Sequence, residues 1–386
     1  MRIALLSDVY KPIINGVVNH VALLKQHLET WGEQVWLFVP GSSSAPDEPN
    51  VVRIPGIPIA DTGYHLSISL DQRSRELLQS MDVIHVHHPF ISGSIGLLAA
   101  NRYNIPLIFT SHTRYDLYVK QYLPLLPAAL SDSALHAYFQ LFSQRCAAMI
   151  APSQGIAEMM KGWGLQARIE VIPNGIDLDL FTQPTHSITR QQLGIPAEAI
   201  IAIYVGRMSQ EKSIERLLTL YKQVAHEETQ SHLLLVGGGP NFEEYRELAG
   251  TLGLLGSQTE SQPARVTFTG SVPYEHMPDY LALSNFFITT SVSEVHPLTL
   301  IEAATAGLPA LGIRSPGVGD VVQSEVTGLL AEDNDLSVGL GFLRLTKNAV
   351  LRQQLGEAAR TYSRQLSAHT NARRILNLYR EVKIRE

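Results

Sequence analysis

The chain has 386 residues, 45% of them apolar and 17% charged, with a formal net charge of −6. That length exceeds one ordinary core and points to two domains, and the composition is globular rather than disordered. The acidic balance provides no basic field for nucleic acid, and the lone Cys146 rules out an intramolecular disulfide or a cysteine zinc site.

The N-terminal run MRIALLSDVYKP is strand-like and is broken by Asp8. It lacks the basic start and long apolar core of a secretory signal, and no apolar run reaches bilayer length, so a cytoplasmic protein is expected. Contact with the inner membrane face stays open. RIALLSDV (2–9) leads to a helical pattern near 17–31 and then to QVWLFVP (34–40). VIHVHH (83–88), PLIFTSH (106–112), AMIAPS (148–153) and RIEVIPNG (168–175) follow, with helix-compatible segments between them. A second series begins at AIIAIYVGR (199–207) and continues through SHLLLVGGG (231–239), RVTFTGSV (265–272), FFITTS (286–291) and LPALGI (308–313). Strands alternating with helices predict parallel sheets with crossover helices. The polar segment DLDLFTQPTHS (177–187) separates the two series. The expected fold is α/β: two doubly wound Rossmann-like domains, 1–175 and 176–362, facing each other across a cleft. A final amphipathic segment, 363–386, sets Ile375, Leu376 and Tyr379 on one side.

The second series concentrates the chemistry. Arg207 and Lys212, in VGRMSQEK, lie just past a strand's carboxyl end, where open α/β sheets bind ligands. Two cations there suit a diphosphate, although a solvated basic pair has the same appearance. Gly238 and Gly239, in LLLVGGGP, permit close backbone approach to a ligand or simply form a turn; the pattern is not a nicotinamide fingerprint. In SVSEVHPLTLIEAATAGLP (291–309), Pro297 separates Glu294 from Glu302. Proline is rare beyond a helix's first turn, so Glu294 and His296 are placed on a loop and Glu302 in a helix starting near Pro297. The N–H groups of Leu298 and Thr299 then face a phosphate, Glu302 accepts from ribose hydroxyls, and Glu294 stands near whatever hangs from the far phosphate.

In the first series, Asn15-Gly16 forms a loop or plain turn ahead of a helix. His112 ends a strand at the expected cleft. His85, His87 and His88 have a spacing compatible with metal ligation, but partial burial is the preferred reading, with His88 lining the cleft. No metal ligand is expected.

SEVHPLTLIEAATAGLP resembles the E-x7-E motif of the retaining glycosyltransferases of family 4, which have the two-Rossmann GT-B fold. The resemblance runs over essentially the whole chain: GRMSQEKSIERLL (206–218) is similar to the family's donor-phosphate motif, VIPNGIDLDLF (171–181) to its interdomain hinge, and FTGSV (268–272) to its nucleobase strand. It implies retaining, metal-independent transfer of a hexose from a nucleotide sugar, UDP-glucose or UDP-galactose, without a cofactor. Arg207 and Lys212 would hold the diphosphate, Leu298 and Thr299 would meet it with backbone, Glu302 would hold the ribose and Val272 the base. Glu294 and His112 would contact the transferred sugar. Gly16, Gly238, Gly239 and His296 complete the donor side, while Asn15, His88 and Tyr115 fall to the acceptor. Pro297 departs from the family's usual glycine. The last helix is expected to cross back to the first domain.

The NGV loop and FTSHTRYDLYVKQYLP resemble a subgroup that includes diacylglycerol glycosyltransferases, and also relatives acting on phosphoinositol. The apolar stretch 117–142 suits a lipid acceptor or a membrane interface, or a loop and core helix. A lipid acceptor is therefore expected, with a soluble sugar or sugar phosphate as the alternative. In a different class stands a nucleotide-sugar-binding protein without turnover, which would have no need of Arg207, Lys212, Glu294 and Glu302 together. A GT-B epimerase has no support in the sequence.

Overall fold

A computed structural model describes residues 1–13, 15–42, 48–59, 64–67, 69–117, 128–185, 187–256 and 263–384, with the side chains of 128–131 left aside. The chain forms two compact units, Met1–Ile176 with Ser367–Glu386, and Asp177–Leu366.

The first unit is built on seven parallel strands: β1 (Arg2–Leu6), β2 (Gln34–Pro40), β3 (Val51–Ile54), β4 (Val83–Val86), β5 (Leu107–Thr110), β6 (Ala148–Ala151) and β7 (Ile169–Val171), in the order β3-β2-β1-β4-β5-β6-β7. Its central strands are near-continuous apolar runs because helices cover both faces of the sheet. Leu5 pairs with Leu37 on one side and with His85 on the other, which places His85 inside the sheet. Each predicted strand is present; Gln34–Pro40 spans its whole run, and the others stop short of theirs because the residues after the last ladder bond turn out into loops. Val51–Ile54 was not anticipated, and neither was a small antiparallel ribbon, Ile57–Pro58 with His65–Leu66.

Helix α1 (Gly16–Thr30) starts at Asn15, whose Oδ1 accepts from the Val18 N–H at 2.9 Å. Val18, Val21, Leu24 and Leu28 recur at helical spacing and are buried against the sheet. Residues 118–127 of the apolar stretch 117–142 lie outside the described residues. Beyond them a helix, Ala128–Ser143, buries Leu135, Phe139 and Phe142, the last two against Phe109. The buried face of that helix belongs to the core, while Leu141 on its other side is exposed.

The second unit carries six parallel strands: β8 (Ile200–Val205), β9 (Ser231–Val236), β10 (Val266–Phe268), β11 (Phe286–Thr289), β12 (Ala310–Ile313) and β13 (Gly328–Ala331), in the order β10-β9-β8-β11-β12-β13. Strand order reverses between β1 and β4 in one sheet and between β8 and β11 in the other. Those are the topological switch points at which doubly wound sheets bind ligands. Helix α2 (Leu298–Ala306) follows β11.

The last helix, α3 (Ala368–Ile384), belongs to the first unit. The return falls at Ser367 rather than 363, because the helix Ala349–Ser363 and the buried Leu366 still belong to the second unit. Ala372, Ile375, Leu376, Tyr379 and Val382 form one buried stripe in the same core as the buried face of α1. Asn371 Nδ2 donates to the Pro173 carbonyl at 2.7 Å, and Arg374 donates to that of Val171 at 2.6 Å. Each such apolar side chain contributes about 1.5–3 kcal/mol, so together they rival the whole stability of a domain. A chain ending at Leu366 is therefore expected to lose more than about 10 °C from the unfolding midpoint of the first unit in calorimetry. An unchanged transition would show that α3 is dispensable.

Candidate active site

In the second unit, Arg207 follows β8 with its side chain exposed, and the Tyr204 hydroxyl anchors its carbonyl at 3.2 Å. A single 3-10 turn, Gln210–Lys212, comes next. The loop after β11 is stitched to that turn. Ser293 Oγ donates to the Glu211 carbonyl at 3.0 Å, and Thr290 Oγ1 donates to that of Ser213 at 2.9 Å. These bonds bring Lys212 Nζ to 2.7 Å from Glu294 Oε1, with side chains 23% and 16% exposed. Water still reaches both partners and partly screens the pair. The bridge holds both groups in place yet yields readily to a stronger ligand.

The glycine loop brings two backbone segments together. Gly237 and Gly239 have φ of 135° and 153°, and a Cβ on them would stand 2.0 Å from the Gly206 carbonyl oxygen and 2.5 Å from that of Met208. The Met208 N–H donates to the Gly238 carbonyl at 2.8 Å. The close approach is therefore between the loops after β8 and β9, which fixes the backbone on either side of Arg207.

Pro297 is the N-cap of α2, with φ −68° and ψ 121°, not its first helical residue. The donors of the helix end, the Leu298 and Thr299 N–H groups, therefore survive, and no side chain caps them. Glu302, one turn further on, is only 3% exposed, and its Oε1 accepts from the Tyr274 hydroxyl at 2.8 Å. Burial lifts its pKa to about 7, against the opposing pull of that hydrogen bond. His296 is buried beside the same helix start and is held neutral, its pKa lowered to about 4 by burial. Val272 stands partly exposed in the loop beyond β10. Tyr274, the partner of Glu302, was not singled out from sequence; a tyrosine in a loop carries no signal until the fold sets it opposite an acid.

In the first unit the carboxyl ends of β1, β4 and β5 converge. His88 Nδ1 accepts from the Asp8 N–H at 3.2 Å, so its Nε2 carries the proton. Asp8 Oδ1 in turn accepts from the Ser92 N–H at 2.7 Å. His85 is fully buried, with Nδ1 2.5 Å from the Tyr379 hydroxyl and Nε2 2.7 Å from Thr110 Oγ1. His87 is also fully buried, and its Nδ1 lies 3.0 Å from Nε2 of the partly exposed His112. Burial lowers the pKa of His85, His87 and His112, so all three are neutral near pH 7. His87 Nε2 finds no partner among the described residues. A buried lone pair is better tolerated there than a buried N–H, so His87 donates from Nδ1 and His112 is left with a proton on Nδ1.

Two acceptor-side expectations acquire structural roles. Asn15 spends its side-chain oxygen on the helix cap, with Gly16 exposed behind it. Tyr115 is 5% exposed and packs edge-on to Phe90 and against Phe139. His20, one turn into α1, was overlooked. It is a polar residue beside the buried stripe, and only its burial at 3% exposure brings it to His87 and His112.

Glu302 generates a pH signature. A carboxyl whose folded pKa is raised gives full stability below its unfolded pKa near 4.5 and loses it progressively as pH climbs to about 7, because the unfolded chain releases its proton first. Glu302→Gln is expected to flatten that fall in urea unfolding of the protein without ligand, by up to about 3 kcal/mol. Parallel pH profiles for the two proteins would mean that Glu302 is ionised in the fold.

Two family models match the chain: Glycosyltransferase Family 4 over residues 14–180 and Glycosyl transferases group 1 over residues 186–362. The chain is 27% identical over 350 residues to an alpha-monoglucosyldiacylglycerol synthase of Acholeplasma laidlawii, covering 87% of this chain and 86% of that one. It is 26% identical over 398 residues to a D-inositol 3-phosphate glycosyltransferase of Nocardioides sp., covering 95% and 85%. Its fold matches Anabaena Alr3699/HepE, solved in complex with UDP and glucose, at a TM-score of 0.76 and 20% identity, over 99% of this chain and 100% of that one. Two doubly wound sheets and this pair of family domains establish the protein as a glycosyltransferase of the GT-B fold, joining a family 4 domain to a group 1 domain.

Proposed function

We propose that the protein is a retaining hexosyltransferase that moves glucose or galactose from a UDP-sugar to a lipid acceptor of the diacylglycerol type, at a membrane surface and without a metal ion. The observation that carries this reading is the cluster on the second unit: exposed Arg207, the Lys212–Glu294 pair, the uncapped start of α2 and the buried Glu302. A nucleoside diphosphate fits it part by part. Its phosphates, with more acceptor oxygens and more negative charge than one carboxylate, draw Lys212 away from Glu294. The Leu298 and Thr299 N–H groups supply further donors, and the ribose hydroxyls reach Glu302. Released from Lys212, Glu294 turns to the sugar hydroxyls.

In the reaction, the bond from the anomeric carbon to the β-phosphate oxygen breaks and a bond to the acceptor oxygen forms on the same face. The acceptor's proton ends on the departing phosphate. Arg207 and Lys212 offset the charge that grows on the leaving group, the task a metal performs in other transferases. His112 presents its Nδ1–H to a sugar oxygen. The lipid acceptor is supported by the Acholeplasma relative and by exposed apolar side chains on the ribbon of the first unit, Ile57 at 69% and Leu66 at 47%. Among the described residues no helix is long and apolar enough to cross a membrane.

A screen of UDP-glucose, UDP-galactose and GDP-mannose against diacylglycerol vesicles, inositol phosphate and free sugars tests the reading. Product in the vesicle arm alone is expected. Product confined to inositol phosphate would move the acceptor to the soluble class.

The two glutamates are expected to separate in steady-state kinetics. Glu302→Gln weakens hold on a group that does not react and mainly raises the donor KM. Glu294→Gln lowers kcat by about 10²-fold, while UDP affinity in calorimetry stays level or rises because Lys212 is freed. Loss of UDP affinity at unchanged kcat in Glu294→Gln would reverse the two roles.

A further inference from the structure

His20, on α1, reaches His87 and His112 at the ends of β4 and β5. Each of the three offers one ring nitrogen, and these nitrogens lie within 4.8 Å of one another. His20 Nε2 and His87 Nε2 have no hydrogen-bond partner among the described residues, although both rings are buried. Two buried nitrogens without partners cost about 1–3 kcal/mol each. Of the two, His20 Nε2 is the one left to take a ligand, because His87 presents Nδ1 to the neighbouring ring.

We propose that His20, His87 and His112 form a binding site for a late first-row divalent cation, Zn²⁺ above all, and that filling it inhibits the enzyme by withdrawing His112. Three geometric facts carry the assignment. First, His87 Nδ1 and His112 Nε2 already stand 3.0 Å apart, close to the ~3.3 Å between two nitrogens on one tetrahedral zinc. The ion replaces the hydrogen bond between them, and the His87 proton passes from Nδ1 to Nε2, so the ring stays neutral and ligates through Nδ1. Second, His20 sits edge-on to both rings, at centroid distances of 5.7 Å and 4.9 Å, and closes the third corner by a side-chain rotation. Third, His112 is partly exposed, which leaves the fourth corner to water or an anion. His85 is no ligand, because both its nitrogens are engaged by Tyr379 and Thr110; it stacks on His87 instead, with centroids 4.2 Å apart.

The donor set chooses the ion. Three neutral imidazoles suit Zn²⁺, Co²⁺, Ni²⁺ or Cu²⁺, whereas Mg²⁺ demands oxygen ligands. The site is thus a brake separate from the metal-free transfer chemistry. Its inhibitory arm rests on the role proposed for His112, but its binding arm does not.

The test uses the full-length protein. Calorimetry with Zn²⁺ is expected to give one site per chain, and Co²⁺ to give the visible absorption of a four-coordinate ion with nitrogen ligands. His20→Gln should weaken Zn²⁺ at least about tenfold and bleach the Co²⁺ bands, while the exposed control His369→Asn changes neither. Activity should fall with Zn²⁺, recover with EDTA and ignore Mg²⁺, and His20→Gln should work without added metal but resist Zn²⁺. Equal Zn²⁺ affinity in His20→Gln, or loss of it in His369→Asn, overturns the site. Should His20→Gln fail to fold, the wild-type Co²⁺ spectrum decides, and a faint six-coordinate spectrum overturns the proposal. Zn²⁺ bound through His20 without inhibition would uphold the site and overturn the inhibition, together with the role of His112.

Discussion

A parallel sheet brings the carboxyl ends of all its strands to one edge, and nearly everything chemical in this chain hangs from two such edges. In the second unit Arg207, the glycine loop and the Glu294 loop follow β8, β9 and β11. In the first, Asp8, His87, His88 and His112 follow β1, β4 and β5. Adjacent strands lie about 4.8 Å apart, so residues far apart in sequence meet within hydrogen-bond reach. Lys212 and Glu294 are 82 positions apart in sequence, yet Nζ and Oε1 stand 2.7 Å apart. The sheets themselves are held by apolar burial on both faces, which leaves the loops free to vary in chemistry.

The two edges use different electrostatics. The edge of the second unit keeps its paired charges, Lys212 and Glu294, partly open to water, which screens them. The histidine edge is dry. There the cost of charging an imidazole keeps every ring neutral, and the bonds among rings and hydroxyls set orientation rather than charge. Glu302 stands between these regimes: its acid group is enclosed like the histidines, yet it belongs to a helix whose N-terminus no side chain caps.

The carboxyl side of the site was readable because proline and helix geometry dictate it locally. Pro297 had to lie at the boundary between loop and helix, so Glu294 and Glu302 had to fall on different elements. Its place as N-cap rather than first helical residue depends on one backbone angle, which residue type alone does not decide. The glycines after β9 were recognisable as a close approach, but not what approached, since that depends on how β8 lies beside it. Tyr274 and His20 were missed for a common reason. Their partners, Glu302 and the pair His87–His112, are 28, 67 and 92 positions away.

The amino-acid sequence by itself determined the alternation of strands and helices, the division into two Rossmann-like halves and the motif residues that carry the family resemblance. Those features follow from periodicity, proline and glycine, which act over a few residues. Tertiary structure alone decided which side chains became partners, which rings lost water, and which acid was enclosed so that burial raises its pKa. Such properties arise from burial and cross-sheet proximity, and neither exists until the chain has folded.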